Sequence, residues 1–334
     1  MSSLPSPELS IIVVSYNTKD MTLECLASVF RETQTPCEVI VVDNASQDGS
    51  ADAIAETFPE VTLLRETRNL GFAGAHGPAV AAARAPWLLL LNPDTIVLDG
   101  ALDKLLAFAR RRPEAGIWGG RTLYADGTLN PSSCWARMTV WSLACHVSGL
   151  SRVFPNSALL NPEAYGGWRR DSERAVDIVT GCLLLIRRET WERLQGFDPA
   201  FVMYGEEADL CLRARREGFR PMITPEATIV HHGGASERVR EDKMVRLLKA
   251  KVELAKRHVP QAGRSFARIL LLLWPLSRWL ALAPAASALR RDDLSAKADT
   301  WRNIWGRREE WRDGFPAAEV ERQVSDVSGS RLSR

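Results

Sequence analysis

The 334-residue chain has no excess of either charge, no C-x-x-C pair, no glycine-rich loop after its first apolar run and no apolar stretch at its start. Each absence removes a class. The balance of 43 Lys/Arg against 41 Asp/Glu, a formal net charge of +2, gives no global electrostatic case for nucleic acid as a partner. Cys25, Cys37, Cys134, Cys145, Cys182 and Cys211 lie far apart, which excludes the disulfide-dense scaffold of a small secreted domain and points to a reducing compartment. The opening residues MSSLPSPELS lack both the basic start and the apolar core of a signal peptide, so the chain is expected to stay in the cytoplasm. Finally, "SYNTKD" after "IIVVS" carries no glycine. That argues against the dinucleotide fingerprint of an oxidoreductase and against the phosphate loop of a nucleotidyltransferase.

What is present is ordinary soluble material: 46% hydrophobic and 25% charged residues, in a chain long enough for one large α/β domain with an appendage or for two domains. Leu9–Asn17 and Cys37–Ser46 are continuous apolar, β-branched runs, the mark of strands buried on both faces. Between them Leu23, Leu26, Ala27 and Phe30 recur at helical spacing. A second cycle follows: a helix over 50–57, a short strand over 61–65, an alanine-rich helix over about 73–84, and the strand of "WLLLLNPDT". Repeated strand and helix predicts right-handed crossovers and an open, doubly wound, mostly parallel sheet. In such sheets ligands bind beyond the carboxyl ends of the strands. Polar residues stand at four of those ends: Ser15-Tyr16-Asn17, Asp43-Asn44, Arg68-Asn69 and Asn92-Pro93-Asp94. The acid that closes the leucine run thus has a place to work.

Residues 120–168 read as loop-rich material over the sheet. Strand and helix signals resume over 176–191, a helix ends at Gly218, and 227–236 reads as a strand running into His231 and His232. Beyond it, Ile269–Leu289 is just long enough to cross a bilayer at ~1.5 Å per residue. Arg278 sits at its middle, however, with Pro275 and Pro284 inside, and a central arginine costs roughly 2.5–3.5 kcal/mol. A pair of helices lying on a surface is the preferred reading. From Leu254 to Arg291 there are Lys256, Arg257, Arg264, Arg268, Arg278, Arg290 and Arg291 but no acid, which suits attachment to an anionic cytoplasmic leaflet; packing on the catalytic part or on a second copy in a homo-oligomer is the alternative. The tail over 316–334 is polar.

An acid at a strand end, a cluster of acids on a helix and a nearby histidine suit a divalent ion bridging protein to a diphosphate. Mg²⁺ takes few protein oxygens plus phosphates, and an imidazole is more congenial to Mn²⁺. Asp94 and His231 are the candidate ligands, a purely structural His231 being the bland alternative. The blocks "VVSYNTKD", "VVDNASQDGS", "RNLGFAGA", "LLLNPDT", "YGEEADLCLRARREGF" and "VHHGGAS", in this order, resemble glycosyltransferase family 2, the inverting sugar-nucleotide enzymes of the GT-A fold. Bacterial rhamnosyltransferase-like members are the nearest in pattern. The resemblance implies a GT-A domain over 1–236, with donor binding over 9–119 and acceptor and catalytic functions over 120–236, followed by C-terminal helices over 237–315. It further implies that Ser15, Tyr16 and Asn17 wrap the base of a dTDP- or UDP-sugar, that Asp43 meets its pyrimidine, and that Arg68, Asn69 and Asn92 complete the donor pocket. Asp94 stands at the last acid of the family's Asp-x-Asp motif, whose first acid is Asn92 here. The family's Glu-Asp pair reads Glu206-Glu207, with Glu207 in the position of the general base and Glu206 as the alternative. Asp209, four residues before Arg213, reads as one half of a structural pair. The expected activity is transfer of a sugar, rhamnose first among candidates, to a saccharide or lipid-linked acceptor of cell-surface polysaccharide. A non-catalytic sugar-nucleotide binder is the competing class.

Overall fold

The computed structural model describes residues 6–201, 203–233 and 240–316. The polar tail expected over 316–334, but for its first residue, and the last three residues of the histidine segment lie outside the described residues. β1 (Leu9–Ser15), α1 (Lys19–Glu32), β2 (Cys37–Asp43), α2 (Ser50–Thr57), β3 (Thr62–Arg65), α3 (Gly71–Ala82) and β4 (Trp87–Leu91) alternate along the first part of the chain. β1 pairs in parallel with β2 and β4, and β2 with β3. Their four carboxyl ends therefore lie at one edge of the sheet.

The chain then runs through β5 (Thr95–Val97), α4 (Ala101–Arg111), β6 (Ile117–Leu123), β7 (Cys134–Trp135), α5 (Val140–Ser148), α6 (Leu150–Val153), β8 (Arg174–Ala175) and β9 (Ile178–Val179). β10 (Leu183–Arg187), α7 (Arg188–Arg193), α8 (Glu206–Arg216) and β11 (Met222–His231) complete this part. β10 enters antiparallel between β4 and β6, giving the order β3-β2-β1-β4-β10-β6-β11-β5 with β8 beside β11. β11 runs parallel to β6 through a bulge between Thr224 and Thr228. At that point β6 carries Gly119 and Gly120; a Cβ on Gly120 would collide with the Ala227 carbonyl. Glycine is the only residue that lets the bulged strand approach so closely.

Alternation along the buried strands sorts their side chains into two cores, as a sheet covered on both faces requires. Ile12, Val14, Ile40, Val42, Leu88 and Leu90 pack against α3 and α8. Leu9, Ile11, Val13, Val39, Val41, Leu89 and Leu91 pack against Leu26 and Val29 of α1 and Leu102, Leu105 and Phe108 of α4. Residues 120–168 hold more order than their sequence suggests. α5 starts on a capping box in which Thr139 Oγ1 accepts from the Ser142 amide at 3.0 Å and Ser142 Oγ accepts from the Thr139 amide at 2.9 Å, which satisfies two otherwise orphaned donors.

α9 (Arg240–His258), α10 (Gln261–Leu289) and α11 (Asp292–Gly306) follow. α9 is fastened to the sheet domain by Lys251–Glu163 at 2.6 Å and His258–Asp209 at 2.8 Å. The expectation of two helices over 264–291 is corrected: α10 is one helix that contains both Pro275 and Pro284. Each proline removes one backbone hydrogen bond, but the helix is held along its length against α5, α9 and α11. Pro275 itself is buried in that seam.

Candidate active site

A cavity of about 460 Å³ opens at the carboxyl ends of β1, β2 and β4. It is closed on the far side by the start of α8, the end of β11 and the first turn of α9. Of the residues singled out in the sequence, Tyr16, Asn69, Asn92, Asp94, Glu206, Glu207 and His231 line it. Ser15, Asn17, Asp43 and Arg68 do not.

These four depart for physical reasons. The Ser15 hydroxyl is fully buried and shares hydrogen bonds with Thr18 and Thr22, so it ties β1 to α1 rather than facing a ligand. Asn17, in the left-handed region at φ 52°, accepts from the Gln47 amide at 2.7 Å while its own amide donates to Ser46 Oγ. It clamps the β1–α1 loop to the β2–α2 loop. Asp43 lies across from Ser15 in the β1–β2 register; one carboxylate oxygen accepts from the Ser46 amide at 3.2 Å and the other is buried without a partner. Arg68 is exposed on the approach to α3. Asn69 lines the cavity, but its Oδ1 is spent on the Asn44 side chain and the Gly71 amide. The two asparagines pin the end of β2 to the start of α3.

At the end of β4, Asp94 is buried and meets His231 at 3.4 Å. Its second oxygen accepts from the Gly233 amide, and its carbonyl accepts from the His232 amide. Burial would raise the Asp94 carboxyl, but the hydrogen bond and charge of His231 hold it below the usual range. Burial would lower His231; the Cys182 sulfur and the Asp94 carboxylate instead raise it to about 10. The two form an imidazolium–carboxylate pair at neutral pH.

Glu206 and Glu207 open α8, whose cap is Gly205 at φ 91°, preceded by Tyr204 at φ 71°. Two successive left-handed residues turn the chain sharply into the cavity wall. Glycine is needed at 205, where a side chain would also press on Phe201. Burial pushes both carboxyls up, and the charge of Glu207 pushes Glu206 well above the ordinary range. Glu207 is raised by burial but drawn back by the backbone amides of its own first turn and of Gly181, the favourable end of the helix dipole. Of the pair, Glu207 therefore ionises first. Asp209, two residues after Glu207, is different in kind. It is 1% exposed and held by Arg213 at 2.6 Å and His258 at 2.8 Å, which makes it the clamp between α8 and α9.

Asn92 Oδ1, Glu206 Oε2, Glu207 Oε2 and His232 Nε2 are buried around this cavity without hydrogen-bond partners. Buried polar atoms are rarely left so, and their concentration here marks a place for a polar ligand. Among the described residues no group of three or more His, Cys, Asp or Glu side chains forms a cation cage. Several wall residues escaped the sequence reading: Tyr124, Asn130, Thr180, Tyr204 and Lys243. Asn44, noted at its strand end but given no role, also lines the wall. The others come from loops or from a helix far along the chain.

A mostly parallel sheet with helices on both faces and a cavity at its strand ends is the fold of the GT-A glycosyltransferases. The chain belongs to Glycosyl transferase family 2, whose profile matches residues 10–190. It is 31% identical over 238 residues to the N-acetylglucosaminyl-diphospho-decaprenol L-rhamnosyltransferase of Mycobacterium tuberculosis, covering 67% of this chain and 76% of that protein. It is 29% identical to the O-antigen biosynthesis protein RfbC of Myxococcus xanthus, over 70% of this chain but only 18% of that longer protein. Among solved structures, the mannosyltransferase PcManGT of Pyrobaculum calidifontis, in complex with GDP-Man and Mn²⁺, superposes with a TM-score of 0.54 at 20% identity, over 98% of this chain and 88% of that one. That level of identity bears on the fold alone.

Proposed function

We propose that this glycosyltransferase moves a sugar, with inversion, from a nucleotide-sugar donor to a saccharide or lipid-linked acceptor of a cell-surface polysaccharide, working on the cytoplasmic side. The donor proposed first is dTDP-rhamnose, on the strength of the 31% identical relative's name. The observation that carries the reading is the meeting in one cavity of the Asp94–His231 pair with Glu207, which has a carboxylate oxygen without a partner.

A divalent cation, Mn²⁺ or Mg²⁺, fits the residues present. Asp94 and His231, 3.4 Å apart, are the side chains that would hold it, and the unpartnered Asn92 Oδ1 lies on the same wall. His231 would release its proton to ligate. When bound, such an ion neutralises charge on the departing diphosphate. Tyr16 offers a flat, half-exposed ring at the end of β1 for the base. Glu207, as the carboxylate, takes the proton of the acceptor hydroxyl while that oxygen forms its bond to the anomeric carbon. The bond from that carbon to the diphosphate oxygen breaks on the opposite side, so the centre inverts. Glu206, kept protonated by burial and by its neighbour's charge, is a hydrogen-bond donor beside it.

The test is Glu207→Gln. Transfer is expected to fall by about 10²–10⁴ while calorimetric donor affinity is kept; wild-type turnover in the variant removes Glu207 from the chemistry. A thermal-shift screen over UDP-, dTDP- and GDP-sugars with Mn²⁺ tests the donor, and a larger shift with another sugar overturns rhamnose. Binding without hydrolysis or transfer of any donor would make the chain a non-catalytic binder.

A further inference from the structure

α10 is apolar on the side that packs and apolar on the side that does not. Its buried residues Ala267, Leu271, Pro275 and Ala286 fall on one arc of the helix at ~100° per residue. Phe266, Ile269, Leu273 and Leu280 fall within about 60° of one another on the opposite arc, and all four are exposed, Phe266 at 63% and Leu280 at 59%. A helix lying on a soluble protein normally turns charged residues outward. Here the outward stripe is aromatic and aliphatic.

The stripe does not stand alone. α5 flanks α10 through Ser277 Oγ on the Val147 carbonyl at 2.9 Å, Arg278 on the His146 carbonyl, and the Trp274 ring stacked on His146, and α6 follows α5 directly. The α5–α6 segment exposes Trp141, Val153, Phe154 and Leu159. Of the large hydrophobic side chains exposed among the described residues, most belong to these two neighbouring segments. Between them, Arg278 meets Arg152 with no acid of the described residues paired to either, and burial and the Arg152 charge both depress the Arg278 guanidinium. Arg268 is neutralised by Asp313 and Arg291 by Asp293, while Arg264 and Arg290 extend the positive character along α10.

We infer that the outward stripe of α10, together with the exposed apolar residues of α5–α6, is a docking face for an anionic phospholipid surface, with the exposed Arg152 meeting the headgroup phosphates. The charge decides the occupant. A second copy of the chain would bring the same uncompensated Arg152 to the contact, whereas an anionic leaflet compensates it and accepts the apolar stripe a few ångströms below its headgroups. α10 lies on the surface and does not cross it, because its inner arc is held by α5, α9 and α11.

The test is flotation of the full chain with vesicles of phosphatidylcholine, alone or mixed with phosphatidylglycerol, read without donor or acceptor so that it stands apart from the transfer reaction. The chain is expected to float with the mixed vesicles, less so at high salt. Ile269→Glu with Leu273→Glu is expected to lower partitioning by about two orders of magnitude, and Arg152→Glu by about tenfold. Should the double substitution also lower the melting temperature, Leu280→Ser reads the same face more gently and is expected to weaken flotation. Equal flotation with neutral vesicles, undiminished flotation of the stripe variants, or a dimer that the stripe variants dissolve while vesicles are ignored would each overturn the inference.

Discussion

Asp209→Asn separates the structural acid from the proposed catalytic pair in the segment that begins α8. The wild-type carboxylate receives Arg213 Nε at 2.6 Å on one oxygen and His258 Nε2 at 2.8 Å on the other, with Arg257 at 3.8 Å. An asparagine keeps one acceptor but turns an N–H₂ group toward the second donor. Arg213 retains the Leu194 and Gly196 carbonyls and Arg257 retains Glu253 and Asp198, so the loss concentrates on His258. Breaking a buried pair from one side is worth ~3–5 kcal/mol; with Arg213 and Arg257 still partnered, the low end, about 3 kcal/mol, applies, roughly a hundredfold in the folding constant. Urea unfolding at pH 7 reads it. Burial would raise Asp209, but His258 and Arg213 hold it low, so its stabilisation is complete above the unfolded carboxyl value of ~3.9 and is lost as pH falls through the lower folded value. The gap between wild type and variant is therefore wide at neutral pH and closes in acid below about pH 4. Turnover of the folded variant is expected to stay within a few-fold of wild type. A stability change under ~1 kcal/mol, a gap that persists in strong acid, or a collapse of turnover without destabilisation would refute the assignment.

Glu206→Gln moves the other way. Because burial and the Glu207 charge raise the Glu206 carboxyl, its cost to stability grows as pH rises above the unfolded value, and the variant should gain melting temperature over wild type at pH 8 but not near pH 4; a pH-independent shift contradicts this. Asp94→Ala is expected to abolish the enhancement of donor binding by Mn²⁺, measured by calorimetry with and without the ion, and an undiminished enhancement would place the ion elsewhere. Gly120→Ala drives a methyl into the Ala227 carbonyl at the β11 bulge, a backbone contact that cannot yield, and should destabilise by about 2–3 kcal/mol in chemical unfolding; a change near zero would mean that β11 shifts freely.

The parallel half of the sheet was legible because β1, β2 and β4 are unbroken apolar runs that no amphipathic element could carry, and their polar ends told where a ligand would lie. β5 was not: three residues following β4 give no period to read, and its pairing with β11 is set by chain far away. In the site, Asp94, His231 and the two glutamates were visible as types and positions. What the sequence could not say is which polar side chains at the strand ends face inward. Ser15 and Asn17 carry donors and acceptors as suitable for a nucleotide as for their own fold; Ser15 bonds to the start of α1 and Asn17 to the neighbouring loop. Lys243 and Tyr204 reach the cavity only through the placement of α9 and a left-handed turn. The unbroken α10 was hidden by its two prolines, whose local cost is smaller than the gain from lateral packing.

α9 begins at the cavity, where Lys243 stands in the wall, and ends on Asp209 through His258. The C-terminal helices are thus no detachable tail. Trimming the chain after the last strand to obtain a better-behaved fragment would open one side of the cavity and strip the brace from the helix that carries Glu207, so a truncated preparation that proves inactive would say nothing about the intact chain.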